Sequence, residues 1–269
     1  MKTQRLGHAL TIITFCVFFT IAVPARADNP LFQQGQVFEQ EQHWTEAFSA
    51  YSELIKQEPT HAAAHYRLGV VSDRLGSTES ALKLYQEALR LQPDMAEAKQ
   101  ALEGYYMRQG VAFRRNNQSE EALRAFQQAL IYNPASASTH FEVGQEFEQR
   151  KQFDEALSAY KESLKLDPNN SGPHTRLATI YSAQGQYEQA MQEFQEVLRL
   201  NPRDPAAHYG LGVAYNAQGQ REQALASLKQ AVRLYLIAGK REEARPAYTL
   251  QKELESQQGT PASSGQKKK

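Results

Sequence analysis

A chain of 269 residues with 30 basic and 30 acidic side chains and an apolar share of 41% has enough apolar material for a folded core. Its charge is too evenly balanced for a polyanion binder, which normally shows a basic excess or stripe, so nucleic acid is excluded as a partner class. The single cysteine, Cys16, excludes a disulfide framework.

The first element is a targeting segment. Lys2 and Arg5 precede an uncharged apolar run from Ala9 to Val23, and Ala25, Arg26 and Ala27 place small residues at the spacing of a secretory cleavage site. Residues 1–27 therefore read as a signal peptide, with a mature chain beginning at Asp28 and secreted, in the periplasm of a Gram-negative bacterium. The alternative is an uncleaved anchor, which would be the chain's one link to a membrane, but the run is shorter than the ~20 residues a spanning helix needs. Cys16 would leave with this segment. Losing Lys2, Arg5 and Arg26 takes the 30 basic residues to 27 against 30 acidic ones.

From residue 28 the chain repeats itself. Gly35, Gly69, Gly110, Gly144 and Gly212, with Ala178 in the fifth copy, recur at steps of 34, 41, 34, 34 and 34. Twelve residues after each stands Ala47, Ala81, Ala122, Ala156, Ala190 or Ala224, and four further on Tyr51, Tyr85, Phe126, Tyr160, Phe194 or Leu228. Pro59, Pro93, Pro134, Pro168 and Pro202 keep the same register. Apolar positions three and four apart predict two amphipathic helices per unit. Gly or Ala at their contact lets the axes approach to roughly 8–10 Å. Glycines at 185 and 219 permit the turn between helices, and each proline ends the second helix. The units span 28–61, 62–95, 103–136, 137–170, 171–204 and 205–238. The insert 96–102 adds seven residues, close to two helical turns, without Gly or Pro, so it predicts one long helix from about Met95 to Arg115. Residues 239–255 repeat half a unit and predict a lone capping helix, whose Pro246 places its start near Glu243. The tail 256–269 is polar and predicts disorder.

This 34-residue pattern of Leu-Gly, an aromatic, Ala, an aromatic and Pro, exemplified by Leu211, Gly212, Tyr215, Ala224 and Leu228 in the sixth copy, resembles the tetratricopeptide repeat. The resemblance implies an all-α fold: a right-handed α-solenoid of six helix-turn-helix repeats and a capping helix. It also implies a non-catalytic role, without cofactor or metal.

The residues themselves offer no competing chemistry. His61 and His65 have the four-residue spacing of a zinc pair, but Ala62 stands where a zinc peptidase needs its glutamate. His65, His140, His174 and His208 share one repeat position and read as packing residues.

In the resembled family the first helix of each unit lines a concave groove through its fifth and ninth positions. Here these are Phe32, Tyr66, Met107, Phe141, Thr175 and Tyr209, and Gln36, Val70, Val111, Gln145, Thr179 and Val213. Arg67, Arg74, Arg108, Arg114 and Arg115 surround the second and third rungs, while Glu142, Glu146 and Glu148 lie on the fourth. Such a groove suits a peptide or partner helix, acidic where it meets the arginines. Two alternatives stay open: the fifth-position aromatics close the gap between units and belong to the core, or the aromatic ladder stacks on a carbohydrate or peptidoglycan. The family's Lys and Asn carboxylate clamp is not matched, since Phe32 and Gln36 occupy its first places.

Overall fold

A computed structural model describes residues 29–256, and every regular element among them is an α-helix. The chain divides into two compact units, one through Leu91 and one from Gln92. The first holds α1 (Pro30–Gln40), α2 (Trp44–Gln57), α3 (Ala62–Arg74) and α4 (Thr78–Leu91). The second holds α5 (Ala96–Arg115), α6 (Ser119–Tyr132), α7 (Ala137–Gln149), α8 (Phe153–Leu166), α9 (Ser171–Ala183), α10 (Tyr187–Leu200), α11 (Pro205–Ala217), α12 (Arg221–Ile237) and α13 (Arg241–Ser256). Within each unit every helix packs on the next, and α9 also touches α11. This is the connectivity of an all-α helical repeat solenoid. The signal-peptide reading of 1–27 and the tail beyond Ser256 lie outside the described residues. Ser256 itself, read from sequence as the first residue of the tail, closes α13.

Proline sets the helix ends. α2, α4, α6, α8 and α10 each run 14 residues and stop two residues before Pro59, Pro93, Pro134, Pro168 or Pro202, because the residue before a proline is pushed out of helical geometry. The sixth repeat has no such proline, and α12 runs 17 residues, leaving Leu236 and Ile237 exposed in its last turn. Five of the six first helices are started by a side-chain cap: Asn29, His61, Ser136, Asn170 and Asp204 accept from the backbone N–H of Leu31, Ala64, Thr139, Gly172 and Ala207, whereas Met95 before α5 makes no such bond.

The turn inside each repeat passes through one left-handed residue. It is Gly76, Gly185 and Gly219 in three repeats, with φ between 72° and 82°, and Gln42, Asn117 and Lys151 in the others, with φ between 58° and 60°. The left-handed region costs an L-residue about 1–2 kcal/mol, so these three turns are held by the helices they join.

Packing follows the repeat register. Ala47, Ala81, Ala122, Ala156, Ala190 and Ala224 are fully buried, and an added Cβ at Gly35, Gly69, Gly110 or Gly144 would fall 2.4–2.7 Å from the ring of Tyr51, Tyr85, Phe126 or Tyr160. The fifth repeat solves the contact differently. Ala178 replaces the glycine, and the Phe194 ring lies against Gly210 of the next repeat, where a Cβ would stand 2.2 Å from it.

The histidines tie repeats to the preceding proline turn. The Nε2 atoms of His65, His140 and His208 bond the carbonyls of Pro59, Pro134 and Pro202 at 2.9, 3.0 and 3.2 Å. His174 departs, its Nδ1 lying 2.6 Å from Glu193 Oε2. His61 caps α3 through Nδ1 and stacks on Phe32 at 5.1 Å.

One boundary is corrected. α13 begins at Arg241, not near Glu243, so Pro246 lies inside the helix. The chain leaves the left-handed Gly239 directly into helix, with Ala244 N–H bonded to the Lys240 carbonyl. Pro246 then removes one backbone bond, to Glu242, at a position where both residues are exposed.

Candidate functional site

The first helices, α1 and α3 in one unit and α5, α7, α9 and α11 in the other, carry the groove positions. In the first unit Phe32 is buried, its ring 5.7 Å from Tyr51, which makes it a core residue. Gln36, Tyr66 and Val70 are half-buried, and the Tyr66 ring lies 5.9 Å from Tyr85. Arg67 pairs with Glu39 at 3.3 Å, and the exposed Arg74 lies over the Trp44 ring at 5.7 Å.

In the second unit Phe141 repeats the contact of Phe32, 5.7 Å from Tyr160, and it also lies against Gly172 of the next repeat. The aromatic rungs thus pack within and between repeats. Tyr209 packs against the core around Leu228, and Val213 is half-buried. Thr175 and Thr179 donate their hydroxyls to the carbonyls of Ser171 and Thr175, one turn back on their own helix. On α5, Met107, Arg108, Val111, Ala112 and Arg115 line a hollow of about 400 Å³. Met107 is further fixed by the Thr139 hydroxyl, 3.2 Å from its sulfur. Arg115 is exposed and makes no ion pair among the described residues.

The arginines and glutamates that appear as separate clusters in sequence meet in space. Arg114 donates through Nε to Glu146, through Nη2 to Glu142 and through Nη1 to Gln145 at 3.0 Å, with its guanidinium 5.0 Å from the Phe126 ring centre. Glu146 is fully buried, and its second oxygen accepts from Ser119 at 2.8 Å. Burial opposes the charge on Arg114, yet the bonds to Glu142 and Glu146 outweigh it and raise its pKa. The pairs Glu39–Arg67, Arg114–Glu142 and Glu148–Arg176 join the same two positions of adjacent repeats, 28 residues apart, with the sign reversed in the middle pair.

Each unit also holds a tyrosine with no exposed surface, Tyr51 in the first and Tyr160 in the second. Tyr160 donates to Glu148 at 2.6 Å. Burial, and then the neighbouring carboxylates Glu39 and Glu148, push both phenols far above their ordinary 10.0. The fold therefore holds the neutral phenol. The corresponding stability is complete below the unfolded pKa of 10.0 and is lost as pH rises past it, at up to about 1.4 kcal/mol per pH unit for each tyrosine. Urea denaturation at pH 9 and pH 11 is expected to show a steeper loss for the wild type than for Tyr51→Phe/Tyr160→Phe; equal losses would remove this account.

A second hollow, of about 360 Å³, opens between α5, α7 and α9 and is lined by Arg114, Gln145, Glu146, Glu148, Gln149 and Arg176. Sequence reasoning missed Gln149 and Arg176 as lining residues. The signal for Arg176 was the 28-residue spacing to Glu148; Gln149 had none. Among the described residues no group of three or more His, Cys, Asp or Glu could hold a metal ion, and no helix is long and apolar enough to cross a membrane.

Known proteins show the same organisation. Tetratricopeptide-repeat models match residues 32–96, 107–171, 159–192 and 206–235, and a TPR repeat model matches 178–219. No curated protein matches the sequence. Among solved structures the chain is similar to YrrB, a TPR protein with an unusual peptide-binding site, at 22% identity over 74% of this chain and 98% of that one, with a TM-score of 0.54. It is also similar to yeast Tom70, at 19% identity over 80% of this chain and 44% of that one, with a TM-score of 0.52. At such identities the likeness is one of fold. With repeat models covering both units and the helix pairs packed in their register, the chain belongs to the tetratricopeptide-repeat family.

Proposed function

We propose that this chain is a non-catalytic scaffold of the bacterial cell envelope that holds a peptide or partner helix on the concave face of its first helices. The observation that carries this reading is the α5 hollow, whose lining combines the apolar Met107, Val111 and Ala112 with Arg108 and the exposed Arg115. A ligand that pairs an apolar side chain with a carboxylate is complementary to this lining. YrrB, with its peptide-binding site on a similar fold, supports the class of ligand. The apolar run 9–23 followed by Ala25 and Ala27 supports export. The carbohydrate reading is less favoured, because Phe32 is buried and Phe141 is packed against Tyr160 and Gly172, which takes two rings out of the ladder.

The test is capture from a periplasmic extract. Arg115→Glu, with unchanged melting temperature, is expected to lower capture at least tenfold and to make the remainder less salt-sensitive. Ile131→Glu, at an exposed position on the second helix α6, is expected to leave capture unchanged. The opposite pattern would place the binding surface on the second helices. Recovery of the chain from the periplasm with Asp28 at its N-terminus is expected, and an intact Met1 form in the membrane would replace export by anchoring.

A further inference from the structure

The turn between α12 and α13 copies the turn inside a repeat but not its chemistry. Gly239 and Gly219 have φ of 73° and 72°. Gly239 and Lys240 donate to the carbonyls of Leu236 and Tyr235 at 3.1 and 2.9 Å, as Gly219 and Gln220 do to Asn216 and Tyr215 at 3.0 and 2.8 Å. In that register Leu236 stands where the six repeats carry Glu39, Asp73, Arg114, Glu148, Ser182 and Asn216, all polar. Ile237 stands at the place of Arg115, Gln149 and Ala183, which are exposed although a further repeat follows each of them in the same unit. The 72% exposure of Ile237 is therefore not the mark of a missing repeat, and Leu236 beside it is 52% exposed.

The charges around this apolar pair are mostly of one sign. Arg233 lies one turn before Ile237 on the same face of α12, and Lys240 and Arg241 follow at once. All three are exposed and make no ion pair among the described residues. Of the two carboxylates close in sequence, Glu242 is taken by Arg245 at 3.1 Å, which leaves Glu243 against three unpaired bases.

Apolar side chains among bases complement a surface that is apolar within and anionic at its boundary, and a lipid bilayer has that structure. A second copy fits worse. In a two-fold pair the patch would meet itself and set the bases of one chain against those of the other. A protein partner needs about 800 Å² from each side, more than two side chains at a helix end supply, whereas a bilayer takes up each apolar side chain separately.

We propose that the α12–α13 turn docks on an anionic membrane surface, Leu236 and Ile237 entering the acyl boundary and Arg233, Lys240 and Arg241 meeting the headgroup phosphates. The contact is peripheral and is independent of what the first helices hold.

The experiment puts a reporter into the site. The full chain carrying Ile237→Trp is titrated with vesicles of three parts phosphatidylcholine to one part phosphatidylglycerol, and with vesicles of phosphatidylcholine alone. The wild type, whose only tryptophan is Trp44, is the blank. The added emission is expected to shift to the blue and saturate on the anionic vesicles at a lipid concentration at least tenfold below that needed on the neutral ones, and half-molar salt is expected to reverse the shift. Arg233→Gln/Lys240→Gln/Arg241→Gln in the same background is expected to raise the lipid needed at least tenfold. Ile131→Trp, at a position 65% exposed on α6, is expected to keep its spectrum. All these positions are exposed, so unchanged melting temperatures are expected alongside. No shift at residue 237, an equal shift on neutral vesicles, or an equal shift for Ile131→Trp would each overturn the site. A shift that grows with protein concentration without lipid would assign the patch to a second copy instead. Vesicle flotation of the chain with residue 237 unshifted would be binding through the apolar run 9–23, and would overturn the proposal as well.

Discussion

Arg114→Met is expected to destabilise the chain by about 3–5 kcal/mol, the cost of leaving a buried charge unpaired. The reason is Glu146: with its side chain fully buried, it takes one hydrogen bond from Arg114 and one from Ser119, and a lone hydroxyl does not neutralise a carboxylate out of water. Glu142 is in a different position, because its side chain is 23% exposed and water can replace the guanidinium there. Urea denaturation of three proteins separates the contributions. Arg114→Met alone is expected to show the full loss, and Arg114→Met/Glu146→Met is expected to recover most of it, since an apolar pair of similar volume often replaces a buried ion pair without cost. Arg90→Met, which breaks an exposed pair with Glu87 within α4, is expected to cost less than about 1 kcal/mol. A loss for Arg114→Met no larger than that for Arg90→Met would mean that Glu146 is solvated or protonated in the fold.

Features that recur at one spacing were legible in the sequence. Pro59 and its four counterparts end the second helices, Ala47 and its counterparts are buried, and Gly35, Gly69, Gly110 and Gly144 admit a ring. Each is a local steric requirement, so residue type and position suffice to read it. The lateral pairs were harder, because their chemistry changes sign while their geometry stays constant. Glu39 and Arg67, then Arg114 and Glu142, occupy the same two positions with charges exchanged, and a search for one residue type at a fixed spacing passes over them. The groove was read least completely. Whether a fifth-position aromatic is a rung or part of the core depends on the ring opposite it, and Phe32 and Phe141 lie against Tyr51 and Tyr160. The carboxamide oxygen of Gln145 accepts from Arg114, 31 residues away, and no pattern along one helix carries that information.

Gly210→Leu is expected to cost about 1–3 kcal/mol by overpacking, at a position where the other repeats carry the large Gln33, Arg67, Arg108, Glu142 and Arg176. The difference lies in the preceding repeat. Where glycine stands at Gly35 or Gly144, the large ring of the second helix settles against it inside its own repeat. In the fifth repeat Ala178 fills that space with a methyl group, and Phe194 sits against the backbone of Gly210, 2.2 Å from where a Cβ would be. Ala178, Phe194 and Gly210 are therefore one packing unit, and their substitutions should not add. Gly210→Ala alone is expected to lower the melting temperature, whereas in a Phe194→Leu background, where the ring is gone, it is expected to do so much less and even gain from the helix propensity of alanine. Gly104→Ala in α5 supplies the reference for propensity alone, because a Cβ there meets nothing nearer than Arg108 Nη1 at 3.6 Å. Additive losses for Gly210→Ala and Phe194→Leu in a thermal melt would dissolve the unit, and the glycine would then owe its place to some other contact between α10 and α11.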